Sequence, residues 1–152
     1  MKNLFFAMLL GTMLCGSSPA FSATLNTARM KALGLAGKTF TKKSNGVWSV
    51  EGGITVYSTE TFAPKVLGFG GPVPLFIAVS AKGKILSIAA APNNESYFDM
   101  IEEANFLHSW DNKTLRQAAQ HKPDAVSGAT YTSNAITENV TITAKKLTGK
   151  AK

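Results

Sequence analysis

Apolar residues recur in the C-terminal part of the chain at the spacing of one helical face. Four of them follow one another at intervals of four, four and three positions: Ile136, Val140, Ala144 and Leu147. This pattern predicts an amphipathic helix. Ser133 or Asn134 can cap its first turn, and Gly149 follows its last turn as a stop signal.

Short apolar runs upstream predict β-strands. Residues 47–50 and 54–57 are rich in β-branched and aromatic side chains, and residues 75–79 form a continuous apolar run typical of a buried strand. The short turn at Lys82-Gly83 leads to a further strand at residues 85–90. Two strands joined by so short a turn must be antiparallel.

Three shorter helices complete the predicted pattern. They cover residues around 25–33, with Gly34 as the stop, residues 97–107, and residues 114–120. Ser96 and Asp99 have the spacing of a capping box at the start of the second of these helices. Together the elements predict an α+β fold in which helices pack against an antiparallel sheet and the last helix follows a small polar loop.

The N-terminus has the pattern of an export signal. Lys2 precedes about eleven apolar residues at 4–14, and small residues follow at 20–22. The apolar run is too short to span a bilayer comfortably. We therefore expect cleavage after Ser22, leaving residues 23–152 as one domain in the periplasm or another extracytoplasmic compartment. Cleavage after Ala23 and a retained anchor are the alternatives.

Cysteine and histidine usage limits the chemistry. The only cysteine, Cys15, lies inside the predicted signal peptide, and Leu14 before it is too large for a lipoprotein box. The exported chain would then contain no disulfide, thiolate nucleophile or Cys-ligated metal. His108 and His121 alone make a poor metal site, so we expect no bound metal.

The basic charge of the chain does not have the pattern of a nucleic-acid-binding protein. The formal net charge is +7, or +6 once Lys2 is removed with the signal peptide, and the positive residues are scattered. Aromatic residues do not alternate with them as they do in nucleic-acid-binding faces. The charge is either a solvated surface or attracts an acidic redox partner or an anionic membrane.

The segment 124–133 lies between Pro123 and the last predicted helix, and its residues are mostly small and polar. Thr130 is expected in a loop that leads to a helix N-terminus, where unpaired N–H groups and the helix dipole favour an anion. Gly128 permits a tight turn and Ala129 adds almost no bulk. A hydroxyl in this place is chemically suited to carry or bind a phosphate.

These residues also carry a family resemblance. The run Asp124-x-x-Ser127-Gly128-Ala129-Thr130 resembles the flavinylation motif of FMN-binding domains. Such domains occur in components of the sodium-pumping NADH:quinone reductase and of Rnf-type complexes, and in small secreted flavoproteins. In that family a separate FMN transferase joins FMN through its phosphate to the last Thr of the motif.

The resemblance therefore implies that Thr130 carries FMN covalently and that Asp124 helps the transferase to recognise its target. Thr132 and Ser133 are the nearby alternative acceptors and neighbours of the cofactor. Without the resemblance, the segment is a glycine-containing turn with Ser and Thr caps ahead of an ordinary helix.

Two further segments resemble parts of the family that lie near the flavin. Gly70 and Gly71 belong to a run similar to the family's Gly-aromatic-x-Gly segment, and the alternative is a loop and bulge before a strand. Glu95 and Ser96 are similar to the Asn-x-Glu-Thr/Ser segment, although Tyr97 replaces the usual following Pro. A capping role for Ser96 is compatible with either interpretation.

No strong acid–base or nucleophilic group accompanies the loop, so no catalytic residue is predicted. We expect an extracytoplasmic flavoprotein that exchanges electrons with a partner redox protein. The first alternative is a flavin-dependent reductase of a small acceptor, for which Tyr131, Glu95 or His121 are weak proton-donor candidates. The second is a secreted, non-redox binding module.

Overall fold

The computed structural model describes residues 24–149, and the predicted signal peptide lies outside the described residues. A 3₁₀ helix occupies Phe106–Trp110. The helices and strands are α1 Thr27–Ala32, β1 Phe40–Ser44, β2 Val47–Val50, β3 Ile54–Ser58, α2 Thr59–Phe62, β4 Leu75–Val79, β5 Ile85–Ala90, α3 Phe98–Glu103, α4 Leu115–Ala118 and α5 Thr130–Leu147.

The five strands of the described chain form one sheet in the order β1-β2-β3-β4-β5, with every neighbouring pair antiparallel. This arrangement confirms the predicted α+β fold. The strands predicted at residues 47–50, 75–79 and 85–90 have those bounds, and β3 extends one residue beyond the prediction.

Side chains alternate between the two faces of the sheet, and each face has its own apolar cluster. Phe76 and Ala78 of β4 pack with Met30 of α1 on one face. Leu75 and Ile77 pack on the other face, which α5 and the remaining helices cover. Because both faces are covered, all five residues of β4 are buried, as its continuous apolar run predicts.

The strand β1 was not predicted. Its first residue is half-buried and the other four, Thr-Lys-Lys-Ser, are exposed at the edge of the sheet. A charged edge strand has no alternating apolar face, and its pairing with β2 depends on backbone hydrogen bonds. The hydrophobic pattern therefore carries no signal for it.

The helix predicted over residues 97–107 is wrong in length and in its cap. The α-helix ends at Glu103, and Asn105 adopts a left-handed conformation with φ 51° before the 3₁₀ helix begins. Asn accepts this conformation more readily than most residues. The predicted capping box does not form, because Tyr97 holds the N-cap position without a side-chain hydrogen bond and Ser96 is exposed outside the helix.

The other short helices agree with the sequence in position. The helix α1 lies within the predicted range of residues 25–33, and Gly34 follows it with a φ of 72°. The helix α4 is shorter than predicted, but Thr114 and Gln117 form a capping box at its start. Within residues 24–149, no helix combines the length and the apolar character needed to cross a bilayer.

Candidate functional site

The last helix begins three to four residues earlier than the predicted cap, at Thr130. Ala129 is its N-cap residue and makes no side-chain capping hydrogen bond. Ser133 is buried in the first turn, where its hydroxyl accepts a hydrogen bond from Val126 N (3.0 Å) and donates to Ala129 O (2.9 Å). The predicted capping by Ser133 or Asn134 is therefore wrong, because the hydroxyl of Ser133 fixes the preceding loop to the helix and Asn134 lies exposed within it.

Thr130 is exposed at this uncapped helix start. The first N–H groups of a helix have no partner within the helix, and they form the positive end of its dipole. Gly128 turns the chain immediately before the helix with φ 85°, and Ser127 and Asp124 are exposed in the same loop. The arrangement presents the Thr130 hydroxyl to solvent beside donors that suit a phosphate.

The glycine-rich loop forms a tight turn whose tip carries Phe69. Gly68 N donates to Gly71 O at 2.7 Å, and Leu67 and Pro72 face each other across an isolated antiparallel bridge. At Gly70, a Cβ would lie only 2.1 Å from the carbonyl oxygen of Asn94. The protein's own backbone packing therefore favours glycine at this position.

Glu95 connects this loop to the last helix. One carboxylate oxygen accepts a hydrogen bond from Gly70 N at 2.5 Å, and the other accepts from Phe69 N at 3.1 Å and from the Thr132 hydroxyl. Thr132 is 2% exposed, which makes it a poor acceptor for FMN. We call this set of hydrogen bonds the Glu95 clasp.

Exposed apolar side chains lie around Thr130. Phe69 and Tyr131 are 66% and 72% exposed, and their ring centroids are 6.3 Å apart. Met100, also exposed, lies against Gly128, where a Cβ would be 3.1 Å from its sulfur. These three side chains, the apolar platform, offer a surface on which a planar aromatic group can pack.

Phe69 and Met100, which form two thirds of the apolar platform, were not among the candidate site residues predicted from the sequence. For Phe69 a signal existed, since an aromatic residue flanked by glycines at a turn has few neighbours to bury it. Met100 carried no signal, because its contact with Gly128 depends on where α3 packs.

The weak proton-donor candidates do not form one group. Tyr131 is exposed beside Thr130, while both oxygens of Glu95 accept hydrogen bonds from the protein. His121 stands edge-on to Trp110, with ring centroids 5.8 Å apart, and lines a surface depression that contains none of the predicted flavin-site residues. Burial lowers the pKa of His121, and the charge of Lys113 lowers it further. A hydrogen bond with the backbone of Ser109 acts in the opposite direction and raises it.

A separate cavity of about 360 Å³ lies beside the base of the glycine-rich loop. Pro72 and Asn94 form one wall of it, and Arg29, Glu60 and Asn139 also line it. The backbone of Asn94 also lies close to Gly70 in the glycine-rich loop.

The model of the FMN-binding domain family matches residues 68–145, just over half of the 152-residue chain. The chain belongs to the FMN-binding domain family. The matched region runs from the glycine-rich loop through α5, so it contains the Glu95 clasp, the apolar platform and Thr130. No curated protein matches the chain.

The residues present fit FMN, which is the cofactor of this domain. The uncapped start of α5 supplies donors for its phosphate, and the apolar platform supplies a surface for its ring. The match begins after β3 and α2, so the first three strands lie outside the family region and extend the sheet on one side.

Proposed function

We propose that this protein is an extracytoplasmic electron carrier that holds FMN through a phosphoester to Thr130. The observation that carries the proposal is the exposure of Thr130 at the uncapped start of α5. Thr130 is also the last residue of the segment that resembles the family's flavinylation motif, and it lies within the matched residues 68–145. An FMN transferase would form the O–P bond by transferring FMN from a flavin dinucleotide: the pyrophosphate bond of the donor breaks, and the nucleoside monophosphate leaves with the proton of the Thr130 hydroxyl. The product is heavier by one FMN less one water.

Each part of the site has a distinct task in this proposal. The first N–H groups of α5 and the helix dipole stabilise the phosphate charge. The apolar platform orients the ring and leaves part of it accessible, because Phe69 and Tyr131 are themselves exposed. FMN supplies one- and two-electron redox chemistry, and attachment through the phosphate leaves its redox-active ring unmodified.

Covalent attachment has a physical advantage outside the cytoplasm. A non-covalent cofactor occupies its site according to its free concentration, and exported FMN is diluted. The N-terminal signal pattern supports export of this domain, and its partner would be a redox protein or a membrane-bound donor. The absence of a convincing acid–base group among the described residues of the site favours electron transfer over substrate chemistry.

A reductase of a small acceptor is the second candidate. The cavity beside Pro72 and Asn94 favours it, because its volume of about 360 Å³ is in the range of small-molecule sites. The non-redox binding module is disfavoured by membership in the FMN-binding family.

Stopped-flow mixing of reduced holoprotein with candidate acceptors distinguishes the two redox functions. We expect rapid oxidation by a partner redox protein and slow turnover with small organic acceptors. Pro64→Ala, which changes an exposed residue of the cavity lining, should leave carrier activity unchanged. Rapid multiple turnover of a small organic acceptor with a simple electron donor and no partner protein would contradict the carrier proposal.

A further inference from the structure

Glu95 is a buried carboxylate whose hydrogen bonds join two distant parts of the chain. It is 9% exposed, and its donors are Phe69 N, Gly70 N and the Thr132 hydroxyl. The donors lie 25 to 37 residues away, on the glycine-rich loop and on the first turn of α5.

Hydrogen bonds, rather than a cation, compensate the burial of this carboxylate. Among residues 24–149, the ion pairs include none with Glu95. Burying a carboxylate is unfavourable unless its oxygens are satisfied, and charge-assisted hydrogen bonds are the stronger kind. Both oxygens of Glu95 are satisfied only when the loop and the helix occupy their observed positions.

The clasp fixes the groups that surround Thr130. Phe69 donates its N–H to Glu95 and packs its ring near that of Tyr131, while Thr132 follows two residues after Thr130. Releasing the carboxylate would therefore free the loop tip from the helix start.

We infer that Glu95 is a positioning residue for the flavin site, acting through Phe69 and Thr132 rather than by contact with FMN. The inference deepens the proposed function and depends on it for the position of the flavin. The clasp itself exists in the protein without FMN and can be tested there.

Hydrogen exchange of the apoprotein tests the clasp directly. The amides of Phe69 and Gly70 belong to exposed residues, yet Glu95 accepts hydrogen bonds from both. A hydrogen bond to a charged group is stronger than one between two neutral groups. Glu95→Gln replaces one acceptor oxygen by an NH2 donor and leaves a neutral oxygen at the other position, so exchange of at least one of these two amides should accelerate about tenfold or more.

Glu51→Gln is the matched control, because the exposed Glu51 carboxylate makes only a long contact of 3.4 Å with Thr39 N. It should leave exchange at Phe69 and Gly70 unchanged. Equal exchange rates in wild type and Glu95→Gln would overturn the inference.

Substitutions at Thr132 test the effect on the flavin site. Thr132→Val keeps the shape of this buried side chain but removes the hydroxyl donor, whereas Thr132→Ser keeps the donor. We expect Thr132→Val to slow transferase modification about tenfold and to lower the fluorescence anisotropy of attached flavin, with recovery in Thr132→Ser. Val56→Ala, in the apolar cluster on the other sheet face, is the control for general destabilisation.

The outcomes separate the two claims. Wild-type modification and anisotropy in Thr132→Val, or the same loss in Val56→Ala, would overturn the positioning role. Failure of the wild-type protein to acquire covalent FMN would contradict the proposed function while leaving the amide-exchange result to decide the clasp.

Discussion

Asp124 is the residue proposed to be recognised by the FMN transferase. Its side chain is exposed, and within the described residues it makes no hydrogen bond or ion pair. Six positions separate it from Thr130, so a transferase that engages the loop could contact both residues. This environment suits a recognition residue better than a structural cap.

Asp124→Ala should therefore block or strongly slow flavin attachment while the free energy of unfolding changes by less than about 0.5 kcal/mol. Intact-mass measurement after co-expression with an FMN transferase, together with thermal unfolding of the apoprotein, checks both parts. Glu51→Ala, another exposed carboxylate, is the control and should load normally. Normal loading of Asp124→Ala, or its unfolding, would refute the recognition role.

At the residue scale, the sequence can indicate candidate residues whose proposed role is local. Thr130 begins α5, Gly128 and Asp124 lie in the loop before it, and the spacing of the three is visible along the chain. Glu95 was expected near the flavin, but its clasp joins residues up to 37 positions apart, which no local pattern encodes. Ser133 was predicted to cap the helix because side-chain hydroxyls favour the N-cap position. In the structure it lies within the first turn, and its hydroxyl donates a hydrogen bond to Ala129 O.

The glycine-rich loop is an element whose shape depends on one close backbone contact. Gly70→Ala would place a Cβ about 2.1 Å from Asn94 O, which the backbone must relieve by moving. Overpacking of this kind costs about 1–3 kcal/mol. We expect thermal unfolding to shift downward by roughly 3–10 °C, measured by circular dichroism. An unchanged transition would show that the loop adapts and that Gly70 is not required for packing.

At the scale of elements, apolar patterns predicted buried structure well and exposed structure poorly. The continuous apolar run of β4 predicted a strand that is covered on both faces. The short turn at Lys82-Gly83 then predicted that β5 pairs with β4 in the antiparallel direction. The edge strand β1 had no such pattern. The prediction of one helix over residues 97–107 was wrong because the left-handed Asn105 interrupts it. The apolar residues keep their helical spacing on both sides of Asn105, so the sequence pattern gave no sign of the interruption.

At the scale of the whole molecule, charge is distributed unevenly. Residues 66–81, 85–112 and 123–144, which contain the glycine-rich loop, the Glu95 segment and the start of α5, include no Lys or Arg. Three exposed carboxylates lie on α3 next to Met100: Asp99, Glu102 and Glu103. The field beside Thr130 is thus less positive than the net charge suggests. We therefore propose that a redox partner docking beside Thr130 does so through a basic face, rather than the acidic face expected from the net charge.

Reduced holoprotein should accordingly be oxidised faster by a cationic than by an anionic one-electron metal complex. Each complex gains one electron, so two are reduced for every two-electron-reduced flavin, whose protons pass to solvent. The preference should shrink between 0.01 and 0.1 M salt, as the Debye length falls from about 30 to about 10 Å. Stopped-flow kinetics measure the ratio of the two rates.

Neutralising the three α3 carboxylates with Asp99→Asn, Glu102→Gln and Glu103→Gln should reduce this preference. The pair Lys42→Gln and Lys43→Gln, on the edge strand β1, is the control and should have little effect. Faster oxidation by the anionic complex would favour the acidic partner expected from the net charge alone.

The most direct test of the central claim is peptide mapping of the protein after co-expression with an FMN transferase. We expect the mass of one FMN less one water on Thr130 alone, a fluorescent band on a denaturing gel, and loss of both in Thr130→Ala. Thr137→Ala changes a Thr seven residues later on the same helix and should load normally. Flavin retained by Thr130→Ala, or mapped to another residue, would contradict the account.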